Sequence, residues 1–164
     1  MISLSLPNPT PASRIRHSGA RHWHAEPYAS WLENARQIVS IRYRGRPTTE
    51  PVVLGVVVVK GRTSTSKKTG KTKEMRRPDW VSPEAWKTGG RCWRPVRPDD
   101  DNYGKAIRDA LNGRIFLDDG QIVASLAYKV LAARGEEAKA LVFVGTIEEM
   151  AEVFAATNRA LGGI

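Results

Sequence analysis

Val52-Val53-Leu54-Gly55-Val56-Val57-Val58-Val59 is a run of almost pure valine. β-Branched side chains favour extended backbone, and a short run without polar alternation predicts a strand buried on both faces. Such a strand needs covering layers above and below it. On its N-terminal side, Ile2 to Leu6 alternates apolar and serine residues, the pattern of a strand with one buried face. A Pro- and Arg-rich loop from Pro7 to about Glu26 leads to Pro27, a good first helical residue. Tyr28, Trp31, Leu32, Ala35, Ile38 and Val39 then fall at helical spacing, and Gly45 and Pro47 end that helix.

On the C-terminal side of the valines, Thr63 to Lys73 has no apolar period and predicts a flexible loop. Trp80, Val81, Ala85 and Trp86 suggest a short ordered turn, and Arg91 to Arg97 a strand that Pro95 confines to an edge. A helix is predicted from about Asn102 to Asn112, with Gly113 as its stop. Ile122 to Leu131 and Lys139 to Val144 read as strands joined through Ala132 to Ala138, where Gly135 suits a hairpin. Thr146 and Glu149 form a capping box for a last helix, with Ile147, Met150, Ala151, Phe154 and Leu161 on its apolar face. The expected fold is α/β (α+β), a mixed sheet with about three helices packed on it. One domain spans residues 1–164, carrying a basic, partly flexible insertion at about 61–94.

The formal charge of +9 is concentrated. Twelve basic and three acidic residues lie between Lys60 and Arg97, while the remaining fourteen basic and fourteen acidic residues cancel. A block of that kind suits a polyanion, because each phosphate it neutralises releases a counterion; the alternative is a solvated loop. No run is long enough to span a bilayer, and Ile2 to Leu6 lacks the build of a signal peptide. The single Cys92 has no partner for a disulfide or a zinc cluster. The expectation is a cytoplasmic protein with no membrane partner.

Chemistry concentrates between Arg97 and Lys129. If Asp99 and Asp101 close a strand, their side chains share a face, and carboxylates that close cannot both stay ionised in a partly buried site without a cation between them. Arg114 to Leu117 is long enough to return Asp118 and Asp119 towards that pair. Such hard oxygen ligands suit Mg²⁺, with Mn²⁺ as an alternative. Lys105, one turn after Asp101, is placed to neutralise a phosphate. An EF-hand fails, because a loop from Asp99 puts Tyr103 at the fifth position and Ala110 at the twelfth. A structural reading stays open: Asp101 or Asn102 as a helix cap, and Asp118-Asp119-Gly120 as a turn.

Asp99, Asp101, Asn102 and Lys105, then Asp109-Ala110-Leu111, then Asp118-Asp119-Gly120-Gln121-Ile122 together resemble the core of the RusA family of Holliday-junction resolvases. The resemblance is close over about residues 97 to 130. It implies a homodimeric, divalent-metal-dependent endonuclease that nicks four-way junctions and related branched DNA in recombination and repair. Its metal carboxylates correspond to Asp99, Asp101 and Asp119, and its catalytic lysine to Lys105. Asp118 and Asn102 fall beside them as supporting residues. The early loop, with Pro11, Arg14, Arg16 and His17, resembles the family's junction-contacting segment, and Arg97 and Lys105 join that DNA-binding set. Three departures stand out: Asp100 replaces an apolar residue, Ser13 replaces an Asn, and the stretch from Arg62 to about Arg94 is long. Within this frame a flap- or fork-preferring nuclease, or a DNA-binding protein that no longer cuts, are the alternatives.

Other motifs carry less. His17, His22 and His24 match no zinc spacing. Gly70-Lys71-Thr72 lacks the first glycine of a phosphate loop, since Thr65 stands there. Trp80, Trp86 and Trp93 could stack on bases, but filling a satellite core suits at least two of them better.

Overall fold

The valine run forms the middle of the molecule. The computed structural model describes residues 1–12, 15–18, 21–24, 26–65 and 70–160. In chain order these give β1 (Ile2–Pro7), β2 (Ile15–Ser18), β3 (Arg21–His24), α1 (Tyr28–Arg42), β4 (Val52–Lys60), β5 (Thr63–Thr65) and β6 (Thr72–Glu74). There follow α2 (Pro83–Thr88), β7 (Cys92–Trp93), α3 (Asp100–Leu111), β8 (Ile122–Leu131), β9 (Lys139–Gly145) and α4 (Ile147–Ala160). The main sheet has the order β1-β9-β4-β8-β7, parallel only between β4 and β8. The expected mixed sheet with helices on it is therefore present, with four helices among the described residues rather than about three.

From Val52 to Val59 every residue of β4 is buried. One face, with Leu54, Val56 and Val58, packs with Leu4, Leu6, Val142 and Val144 beneath α1 and α3. Those helices supply Trp31, Leu32, Ala35 and Val39, and Tyr103, Ala106, Ile107, Ala110 and Leu111. The other face, with Val57 and Val59, meets Val130, Ala132, Tyr128, Leu141, Phe143 and Trp93. Each fully buried valine or leucine contributes roughly 1.5–3 kcal/mol, so this strand and its two faces hold most of the driving force for folding.

Several expectations change. β8 and β9 do not form a hairpin: both pair with β4, which lies between them, and Ala132 to Ala138 crosses its end with Gly135 at φ +80°. The early loop contains the antiparallel pair β2–β3, and the basic loop contains β5–β6. β7 is only two residues long. The box at α4 forms as read, with the Thr146 amide donating to Glu149 at 3.0 Å and the Glu149 amide to Thr146 Oγ1 at 3.4 Å. Met150 is buried but Ile147 is 63% exposed, so the apolar stripe begins one turn later. Phe154, whose side chain is undescribed, and Leu161 lie outside what the structure describes.

Candidate active site

Helix α3 begins two residues earlier than its apolar period suggests. Asp99 is its extended N-cap residue, and Asp100 and Asp101 fill its first turn, where negative charge complements the helix dipole. The expected strand ending on Asp99 and Asp101 is absent, because Pro98 and the bends after Arg94 interrupt extended backbone. Asp101 Oδ1 accepts from the Asn102 amide at 2.8 Å and from Asn102 Nδ2 at 3.4 Å. Asp99 makes no capping bond. All three aspartates and Lys105 are exposed, and none is in an ion pair among the described residues.

The approach to this helix is held by cations on backbone oxygens. Lys129 Nζ donates to the Val96 and Pro98 carbonyls at 3.2 and 2.9 Å. Arg94 Nη1 donates to those of Val96 and Arg97 at 3.3 and 3.2 Å. Lys60, at the end of β4, donates to Asn8 Oδ1 at 2.6 Å and lies 5.4 Å over the Tyr103 ring. Burial, and then repulsion by Arg94, lowers the Lys60 pKa. The Ala12 amide donates to the Asn102 carbonyl at 3.0 Å and ties the early segment to the same place. Arg97 is exposed there. Sequence reasoning placed Lys60 and Arg94 only within the basic block and missed Lys129; a lysine near the end of a long apolar strand was the available signal.

The back of α3 has a different purpose. Tyr28 Oη donates to Asp109 Oδ2 at 2.5 Å, and Arg36 Nε and Nη2 donate to the Asp109 carbonyl at 3.2 and 3.0 Å. Burial first, then this carboxylate, pushes the Tyr28 pKa up and keeps its hydroxyl a donor. Asp109 thus pins α1 to α3.

Past α3, Gly113 turns with φ +70°, and the buried Ile115 and Phe116 anchor the chain at the start of the sheet. The Thr48 amide donates to the Ile115 carbonyl at 2.9 Å. Asp118 caps the 3-10 turn Asp119–Gln121, accepting from the Gly120 amide at 2.8 Å. Gln121 is a clamp. Its Oε1 accepts from the Leu117 and Asp118 amides at 2.8 and 3.0 Å, and its Nε2 donates to the Thr48 and Glu50 carbonyls, both at 3.0 Å. Asp119 is exposed beside it.

These anchors overturn the expected return of Asp119 to Asp99 and Asp101. Gln121 is bonded to residues just before β4, whereas Tyr103 lies against Lys60 at its far end. The strand between them has nine residues. At about 3.3 Å per residue, the two ends are roughly 25 Å apart. Among the described residues, no three Asp, Glu, His or Cys side chains are grouped to hold a metal ion. Asp99, Asp101 and Lys105 come together; Asp119 does not join them within one chain.

Of the DNA-contacting residues, Arg14 lies outside the described residues, and Arg16 and His17 lie on β2 with undescribed side chains. The Arg62 guanidinium lies 4.2 Å over Trp86, and Trp93 packs on Tyr128 at 5.5 Å against the second face of the sheet. Trp80 is 43% exposed and borders a cavity of about 420 Å³ that Lys60 and Arg94 also line. No described helix is long and apolar enough to cross a membrane.

The family model for endodeoxyribonuclease RusA matches residues 6–139. No curated protein matches the chain in sequence.

Proposed function

The chain belongs to the RusA endodeoxyribonuclease family, and from that premise we propose that it nicks four-way and related branched DNA as a homodimer in recombination and repair. The observation that carries this reading is the head of α3. Asp99, Asp100 and Asp101 project into solvent without a cation, Lys105 follows one turn later, and both lie within the matched segment. Among the described residues these carboxylates are in no ion pair, and Arg94 and Lys129 bond the backbone just before them.

Asp99, Asp101 and Asp119 are the residues that would hold divalent metal, Mg²⁺ or Mn²⁺, because hard carboxylate oxygens suit those ions. When bound, the metal supplies a Lewis acid and an activated water for phosphodiester hydrolysis. Lys105 meets the charge that grows on the scissile phosphate. Asn102 orients Asp101 through its two contacts, and Asp118 shapes the turn that presents Asp119. Arg14, Arg16, His17 and Arg97 contact the phosphate backbone, joined by Lys60, Arg94 and the basic segment after β4.

The test is cleavage of a synthetic four-way junction with Mg²⁺, against linear duplex and EDTA controls. Metal-dependent paired nicks in the junction alone are expected. A second reading, a DNA-binding protein that does not cut, is favoured by one observation, the distance of Asp119 from Asp99 and Asp101. Tight junction binding without nicks in Mg²⁺ or Mn²⁺ would select it.

A further inference from the structure

Trp80 is the tryptophan the fold leaves over. Arg62 lies over Trp86 and Trp93 packs on Tyr128, but among the described residues Trp80 has no ring or cation against it and stays exposed. Its turn is firmly built all the same. Val81 beside it is buried, the Val81 amide donates to the Pro78 carbonyl at 3.1 Å, and Ser82 Oγ accepts from the Ala85 amide at 3.1 Å to cap α2. Trp80 borders two cavities. One, of about 280 Å³, is lined by Trp80, Val81, Ala85, Trp93 and Pro95; Arg91, which also lines it, is already paired with Glu136. The other, of about 420 Å³, is lined by Trp80 with Asn8, Lys60, Arg94 and Val96. Alternate residues after β7 thus divide the two: Trp93 and Pro95 line the aromatic cavity, Arg94 and Val96 the cationic one.

We infer that the two cavities together bind one unpaired nucleotide of a DNA strand, its base in the aromatic cavity against Trp80 and its phosphate in the cationic cavity at Lys60 and Arg94. Every base has a π-face, so an open tryptophan ring takes any of them without reading sequence. The aromatic cavity lies near the lower limit of small-molecule pockets, about 300–1,000 Å³, which suits one ring system and not a base pair. A base inside a duplex has both faces covered, so the ligand is one that has left its stack. The phosphate half follows from charge. Arg94 repels the Lys60 ammonium, and an anion bound by both relieves that repulsion. Arg94 also holds the Val96 and Arg97 carbonyls just before Asp99, so the bound nucleotide lies on the approach to the head of α3.

This inference rests on the proposed action on branched DNA, which supplies unstacked bases, and its test separates the two. Binding of the full chain is measured in EDTA, where no cutting intervenes, to a duplex and to the same duplex with one unpaired 2-aminopurine bulged from its centre. Tighter binding of the bulged probe is expected, with a change in aminopurine fluorescence. Trp80→Ala should weaken that probe by about 5- to 100-fold, the worth of one base on an aromatic ring, and remove the fluorescence change. Trp80→Phe, which keeps a ring, should retain most of both. Arg94→Gln should reduce the salt slope for the bulged probe by about one phosphate contact. Parental affinity of Trp80→Ala for the bulged probe, an equal loss on both probes, or an unchanged salt slope in Arg94→Gln would overturn the inference. Nicking of the four-way junction in Mg²⁺ is scored separately. A Trp80-dependent preference in a protein that never nicks would reject the nuclease reading and leave the pocket standing, while nicking without that preference would reject the pocket alone.

Discussion

The two ends of α3 each carry aspartates, and the fold treats them in opposite ways. At the tail, Asp109 is consumed by Tyr28, and beyond it Asp118 is consumed by the turn it caps. At the head, among the described residues, Asp99 and Asp100 are left to solvent and Asp101 bonds only to the neighbouring Asn102. A carboxylate whose oxygens are satisfied by its own chain contributes stability; one left unsatisfied among basic residues is available for a ligand. On the proposed function one helix joins a structural end to a chemical end, and three substitutions test that division.

The largest effect belongs to the head. Asp101→Asn should lower junction cleavage by more than about 10²-fold, because a neutral oxygen is a poor metal ligand, while binding by gel shift stays equal or tightens. Cleavage near the parental rate would make Asp101 a mere helix-end residue. Lys105→Ala should cost about 10² in rate with Mn²⁺ affinity unchanged by calorimetry, since its ammonium acts on the phosphate. At the tail, Asp109→Asn should leave the rate per folded molecule intact but destabilise the protein by about 1.5–3 kcal/mol in urea unfolding, the worth of a hydrogen bond to a charged group. A rate loss without a stability loss would erase the contrast between the two ends.

The smallest effect concerns Glu136, which receives Arg91 and lies 3.1 Å from Lys139. The hydrogen bond from Arg91 is the main cause that holds its pKa down at about 2, against an ordinary 4.5. A depressed carboxylate stabilises the fold above its unfolded pKa and loses that contribution as pH falls through the folded one. Stability should thus drop by roughly 1–2 kcal/mol between about pH 5 and pH 2 after solvent screening, and Glu136→Gln should flatten that part of the profile. An unchanged slope in the variant would remove Glu136 from the account.

Much of this was legible in the sequence because burial has a period. The valine strand, the helices from Tyr28 and through Ile107, and the capping box at Thr146 follow from spacing alone, and the resemblance carried by Asp99, Asp101, Lys105 and the Asp118–Ile122 run is borne out by the family match. Pairing was not legible, since period says that a strand has two faces and not which strand lies beside it; hence β8 and β9 flank β4. The pairs β2–β3 and β5–β6 escaped because their sequences are basic and polar, without an apolar alternation. The position of Asp119 escaped because it depends on Gln121 reaching the carbonyls of Thr48 and Glu50, a bond spanning more than seventy residues. The three carboxylates are near in sequence, but the sheet keeps one apart.

The place of β4 in the sheet also governs the order in which the protein can be made. Both strands that flank it, β8 and β9, come at least sixty residues later in the chain, and β1 must wait for β9 as well. On the ribosome, at about 5–20 residues per second, the valine run therefore emerges seconds before anything exists to cover its edges. A short, uncharged, β-branched segment in that condition is the type that self-associates. The dense positive charge that follows it, from Lys60 onward, is then already in place as a repulsive flank during those seconds, a task separate from any it performs on DNA.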